Sequence, residues 1–152
     1  MFEPITKENH VSFEALMIAY YQEGEDADTP IETIKDFIDS LYQMIGSGSI
    51  DGAMVKHDGQ YEGFCLWMKD DAHSDFSEIP GYGTILEIGV SPGSRKKGRG
   101  IELVQYAEAQ MKKAGIQRFY VSAYGPAESF WERCGYEKTE HMAANGLPIF
   151  VK

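Results

Sequence analysis

Hydrophobic and polar positions change period along this chain, and the changes mark out its elements. Residues 2–6 read as a short strand, with Pro4 confining it to a sheet edge or a strand start. Val11, Phe13, Leu16, Met17 and Tyr20 then recur at helical spacing over residues 10–22, and Gly24 is a stop signal. A second helix is signalled by Thr29 as N-cap, Pro30 at the first helical position and Glu32 completing a capping box. Its apolar stripe is Ile34, Ile38, Leu41 and Ile45, and Gly46, Ser47 and Gly48 end it. The period then shortens. Residues 53–56 and 61–68 read as a hairpin around the His57, Asp58, Gly59, Gln60 turn.

After a polar and aromatic loop at residues 69–82, an apolar run at residues 85–90 predicts a buried strand. A turn at Pro92 and Gly93 stops it, and a basic, glycine-containing loop leads into a helix over residues 100–114. That helix places Ile101, Val104, Ala107 and Met111 on one face and stops at Gly115. Residues 118–123 are a further strand, so strand, helix and strand predict a right-handed parallel crossover. A short helix at residues 127–133, closed by Gly135, precedes a final hairpin of residues 136–142 and 147–152 around Asn145 and Gly146. There is neither a repeat nor a linker, which predicts one domain over residues 1–152. The expected class is mixed α/β: a mixed, mostly antiparallel sheet of about six to seven strands flanked by four helices.

Composition narrows the function. A net charge of −10 argues against a general nucleic-acid binder, which needs a basic face. The absence of a long apolar run argues against a membrane span, and the N-terminus lacks the pattern of a signal peptide. Two cysteines, Cys65 and Cys134, in separate segments suit a reducing cytoplasm. The acidic stretch from Glu23 to Asp28 is expected to be a solvated loop. His73 and the carboxylates of residues 69–82 match no metal-ligand spacing, so no metal is expected and that loop also reads as solvated.

Against this acidic background, four of the 14 basic residues fall between Arg95 and Arg99, at the predicted start of a helix. Small residues let a phosphate approach the backbone, and the unpaired first-turn amides and the helix dipole favour an anion. A Walker loop is a near miss, demoted because Arg99 and Gly100 stand where it needs lysine and a hydroxyl, and a nucleotide-binding module is kept as a third reading. A dinucleotide fingerprint fails because its third glycine is Leu103.

The pattern Arg95-x-x-Gly98-x-Gly100 resembles the R/Q-x-x-G-x-G/A pyrophosphate loop of the GNAT superfamily of acyl-CoA-dependent N-acyltransferases. Val90-x-Pro92 is similar to the end of that family's central strand. Ala127-x-x-Phe130-Trp131-x-Arg133-x-Gly135-Tyr136 is similar to its second signature, and the order of elements matches over almost the whole chain. The resemblance implies acetyl-CoA as cofactor and direct attack by an amine in a ternary complex. It assigns cofactor binding to Arg95, Lys96, Lys97, Gly98, Arg99, Gly100 and Ile101. A splayed central strand would add backbone groups of Ile88 and Val90 for the pantetheine arm, one of them able to polarise the thioester carbonyl. Gly89 is the place for a bulge or for close packing.

Acyl transfer also needs a base. Glu87, on the strand face opposite Leu86, Ile88 and Val90, is the first choice; its plain alternative is a salt-bridged strand carboxylate. Trp131 stands where many family members carry an acidic tyrosine, and Tyr124 is the substitute acid, ahead of Tyr136. Phe130 and Trp131 wall the cofactor channel or fill the core, with the core favoured for Phe130. Tyr20, Tyr21, Tyr42, Trp67 and Phe76 are candidates for the acceptor site. The expected acceptor is an amine of a small molecule, amino acid or peptide, with a homodimer left open. A non-catalytic acyl-CoA sensor on the same fold is the alternative.

Overall fold

The structure, a computed structural model, describes residues 1–24, 27–75 and 77–152. The part of the acidic link at Glu25 and Asp26, and the acceptor candidate Phe76, lie outside the described residues. Among the described residues the elements run β1 (Phe2–Pro4), α1 (His10–Glu23), α2 (Ile31–Gly46), β2 (Asp51–His57), β3 (Gln60–Lys69) and β4 (Gly83–Val90). They continue with α3 (Arg99–Lys113), β5 (Phe119–Ser122), α4 (Glu128–Arg133), β6 (Glu137–Met142) and β7 (Pro148–Val151). The seven strands form one sheet in the order β1-β2-β3-β4-β5-β7-β6. β4 and β5 are parallel, with Gly83 opposite Phe119 and Thr84 opposite Tyr120, as a strand–helix–strand crossover requires. The last strand, β7, lies antiparallel to both β5 and β6, so the C-terminal hairpin is inserted with its second strand inward. The expected mixed sheet with four helices is what the chain forms.

The chain divides into two compact units, Met1–Leu66 with Glu87–Leu103 and Trp67–Leu86 with Val104–Lys152. In the first unit, α1 buries Phe13, Leu16 and Met17. Val11 was expected on that stripe but is 81% exposed. It precedes Phe13 by two residues, about 200° around the helix, and so points away from the core. α2 buries Ile34, Ile38 and Leu41 as predicted. Its expected capping box does not form. The helix starts at Ile31 with Pro30 as N-cap and without a side-chain cap bond, which puts Thr29 and Glu32 out of reciprocal register. The β2–β3 turn is as expected: Asp58 and Gly59 take φ of 49° and 78°, the left-handed pair that a tight hairpin needs. Phe64 is completely buried, with the rings of Phe13 and Tyr20 edge-on to it at 5.6 Å each.

In the second unit Val104, Ala107 and Met111 of α3 are buried, as are Phe119, Val121, Trp131 and Phe150. The segment between β3 and β4 corrects the expectation of a solvated loop. Asp71, His73 and Asp75 are exposed, but Asp70 is wholly buried. Its carboxylate accepts hydrogen bonds from the Ser77 hydroxyl at 2.6 Å, the Tyr120 hydroxyl at 2.8 Å and the amides of Ala72, Glu78 and Ile79. The loop closes on this one anion because its backbone donors would otherwise be buried without acceptors.

Burial by itself raises the Asp70 carboxyl. The Ser77, Tyr120 and amide donors outweigh it and hold the group down at about 2. The folded value lies below the unfolded one, so the stabilisation is present above about pH 4 and is lost as pH falls towards 2. Asp70→Asn is expected to cost about 2–3 kcal/mol at neutral pH. Urea unfolding should show that deficit shrinking steadily between pH 4 and pH 2.

Candidate active site

The site elements that belong together are the second half of β4 from Glu87, the loop after it, the first turn of α3, the end of α1 and the middle of β3, all in the first unit. β4 ends in a single 3₁₀ turn, Pro92–Ser94, held by the Ser94 amide donating to the Ser91 carbonyl. The chain then needs two left-handed residues, Lys96 at φ 62° and Gly98 at φ 80°, to turn into α3. A Cβ on Gly98 would meet no atom within 4 Å, so the space above the loop is open. The Glu102 amide makes the first helical bond, to the Gly98 carbonyl at 3.0 Å. The amides of Arg99, Gly100 and Ile101 therefore precede the hydrogen-bonded ladder, the arrangement that suits an anion. α3 starts one residue earlier than predicted, at Arg99.

The four basic side chains divide into two kinds. Lys96 and Lys97 are exposed. Arg99 is mostly buried by comparison, and its Nε pairs with Glu62 of β3 while Nη1 lies 3.5 Å from Glu102. The Arg99 hydrogen bond holds the Glu62 carboxyl below the usual carboxylate range and raises Arg99 in turn. Arg95 pairs through Nη2 with Glu23, at the end of α1, and donates from Nε to the Val90 carbonyl at 3.2 Å. The two arginines thus tie the loop to α1, β3 and β4, Arg99 from a largely covered position and Arg95 from an exposed one.

Glu87 is half-buried on β4 and accepts a hydrogen bond from the Tyr20 hydroxyl at 2.8 Å. Two residues on and on the same strand face, Gly89 is buried. A Cβ there would come within 2.6 Å of Phe64 Cε1 and 3.0 Å of Tyr20 Cδ2. Close packing is therefore a sufficient reason for this glycine. Gly89→Ala is expected to cost about 1–3 kcal/mol through overpacking, read as a lower denaturation midpoint. Ile88 and Val90 point to the other face and are half-buried.

The remaining candidates lie in the second unit. Tyr124 is half-buried just after β5, where its carbonyl starts a 3₁₀ turn by accepting from the Ala127 amide. Trp131 is 5% exposed and packs edge-on to Phe130 and Tyr136, whereas Phe130 is half-buried. The core position expected of Phe130 is thus taken by Trp131, because the short helix α4 turns position 131 inward. Tyr136 is buried and donates to Glu108, which Lys152 also neutralises. That network gives its hydroxyl a structural task. Cys65 and Cys134 are buried, and burial pushes the Cys134 thiol up to about 11, the opposite of an activated nucleophile.

Among the acceptor candidates, Trp67 is core and packs against Tyr106. The Tyr42 hydroxyl bonds to the Thr6 carbonyl, and burial moves it to about 12. Tyr20 and Tyr21 are half-buried and form an aromatic row with Phe37. Pattern reading missed Glu23 and Glu62 as loop partners and Tyr20 as the partner of Glu87. Tyr20 and Glu87 are 67 residues apart, and neither has a local signal that points to the other.

A strand carboxylate leading into an anion loop at a helix N-terminus suits a donor that carries a diphosphate. The Acetyltransferase (GNAT) family matches residues 12–136, and the chain belongs to that family. It is an acetyltransferase by that membership, and acetyl-CoA is the donor. No curated protein matches the chain in sequence. Solved structures share the fold. The PaiA N-acetyltransferase of Thermoplasma acidophilum, solved in complex with coenzyme A, is similar at TM-score 0.75 and 17% identity, covering 100% of this chain and 97% of that one. The ribosomal-protein-alanine N-acetyltransferase of Brucella melitensis is similar at TM-score 0.76 and 13% identity, covering 100% and 98%. The aminoglycoside 6'-N-acetyltransferase AAC(6')-IG of Acinetobacter haemolyticus is similar at TM-score 0.75 and 14% identity, covering 94% of each. Among the described residues no helix is long and apolar enough to cross a membrane, and no group of three His, Cys, Asp or Glu side chains stands ready for a metal ion.

Proposed function

We infer that the chain is one N-acetyltransferase domain that moves an acetyl group from acetyl-CoA to a primary amine of a small molecule, amino acid or peptide, within a ternary complex. The observation that carries this is the continuity of β4: Glu87 and the anion loop lie on one strand and its immediate extension. The pyrophosphate is held by the amides of residues 96–101, with Lys96 and Lys97 adding charge; Arg95 and Arg99 hold the loop in shape. Gly98 and Gly100 keep side chains out of the phosphate's path. Backbone groups of Ile88 and Val90, beside Gly89, orient the pantetheine arm.

Acetyl-CoA supplies the thioester. Glu87 accepts the proton that the attacking amine gives up, directly or through water, as the N–C bond forms and the C–S bond breaks. The departing sulfur takes up a proton from solvent, so the sum is amine plus acetyl-CoA to acetamide plus CoA thiol. Buried Cys65 and Cys134 thiols support attack without a cysteine intermediate and fit a cytoplasmic setting.

The solved neighbours are named for acceptors as different as an aminoglycoside and a ribosomal-protein alanine, so the shared fold does not choose between them. The half-buried row of Tyr20, Tyr21 and Phe37 favours an amine with an apolar body, and the acidic balance favours a cation. Release of CoA thiol from acetyl-CoA across a panel of polyamines, amino acids, aminoglycosides and peptides tests the assignment. Release with at least one class is expected. Tight CoA binding with no release from any amine would replace it by the sensor reading.

A further inference from the structure

The last turn of α1 makes two contacts with β4 and the loop that follows it. Tyr20 and Glu23 are three residues apart and so share a helix face. The Tyr20 hydroxyl donates to Glu87 Oε2 at 2.8 Å, and Glu23 accepts from Arg95, whose Nε donates to the Val90 carbonyl. One helical turn thus bridges the strand carboxylate and the cofactor loop. The aim of the Tyr20 ring is also set by packing. It lies edge-on to Phe64 and Tyr21, with ring centroids 5.6 and 5.5 Å away, and its Cδ2 fills the space that a Cβ on Gly89 would take. A phenol held this firmly fixes the rotamer of its acceptor, because moving the carboxylate would break a charge-assisted bond.

We propose that Tyr20 is a positioning residue for acetyl transfer: it orients the Glu87 carboxylate towards the incoming amine and favours its ionised form. This rests on the reading of Glu87 as the base. The buried side of Gly89 belongs to the same device, since a larger residue there would displace the Tyr20 ring. The glutamate is thereby poised as a proton acceptor before any amine arrives, and the turn that poises it is pinned to the loop that holds the donor.

Tyr20→Phe keeps the ring and removes only the hydroxyl. Thermal unfolding and the KM for acetyl-CoA should stay within about twofold of the parent enzyme's behaviour, while kcat falls about tenfold. The acid limb of kcat/KM for the amine should move to higher pH, because a carboxylate that has lost its donor is harder to ionise. In a Glu87→Gln background the same substitution should cost nothing further, since both changes act on one group. Unchanged kcat and pH profile in Tyr20→Phe would overturn the proposal, and so would a full tenfold loss in the Glu87→Gln background, which would mean that Tyr20 acts on its own. Full activity of the single Glu87→Gln variant overturns the base reading instead, and is recognised without altering Tyr20. Should Tyr20→Phe fold poorly, 3-fluorotyrosine at position 20 keeps the ring and strengthens the donor; the acid limb should then move to lower pH, and an unmoved limb would again overturn the role.

Discussion

Glu87→Gln is expected to lower kcat by about 10²–10⁴-fold, the usual contribution of a positioned general base. The substitution is nearly isosteric, and the Gln carbonyl oxygen still accepts from Tyr20, so the side chain keeps its place on β4. Folding and CoA affinity should therefore be unchanged. The loss should be concentrated in kcat, because a base acts on the transition state and contributes little to ground-state binding. Steady-state kinetics with an accepted amine, together with a CoA titration on the same preparation, checks both halves. A variant that keeps more than about half of its activity would return Glu87 to the status of a structural carboxylate.

Gly98→Asp should weaken CoA binding by about 100-fold or more, equivalent to losing two charge-assisted contacts at about 1.5 kcal/mol each. Three features of the position produce this. Its φ of 80° suits glycine and is tolerated by aspartate at a cost of about 1 kcal/mol. A Cβ there meets nothing, so the protein accommodates the side chain. The added carboxylate then lies over the amides that would receive the pyrophosphate, where like charge and steric occupation both oppose it. Gly98→Asn carries the same backbone cost without the charge and should lose about tenfold or less. The contrast between the two, measured by calorimetry with CoA at low and moderate salt, separates charge from shape. Equal losses would mean that backbone geometry alone controls the loop.

The two arginines of the loop motif mark the difference between a motif and its geometry. Residue types at 95 and 99 read as charge available to a phosphate. Folded, Arg99 is engaged by Glu62 and Glu102, and Arg95 by Glu23 and the Val90 carbonyl. A guanidinium with five donors in a fixed fork serves as a brace, so the loop's shape depends on carboxylates that no local pattern identifies.

Local signals were sufficient for much of this protein. Period-3.6 and period-2 patterns located every helix and strand to within a few residues, since each such pattern is the imprint of one buried face. Turn chemistry was equally legible at Asp58 and Gly59, where left-handed backbone restricts the choice of residue. Two spaced motifs on suitable elements were enough for the family. Tertiary structure alone decided the rest. It seated Asp70 at the centre of a loop that reads as polar and solvated, because burial depends on donors from residues 72 to 120. It placed β7 between β5 and β6, an order that strand patterns do not encode. It turned Trp131 inward and joined Tyr20 to Glu87 across 67 residues. The Asp70–Tyr120, β5–β7 and Tyr20–Glu87 pairings are all long-range. A residue's own neighbours state which face of an element is apolar, and only the packed fold states what meets that face.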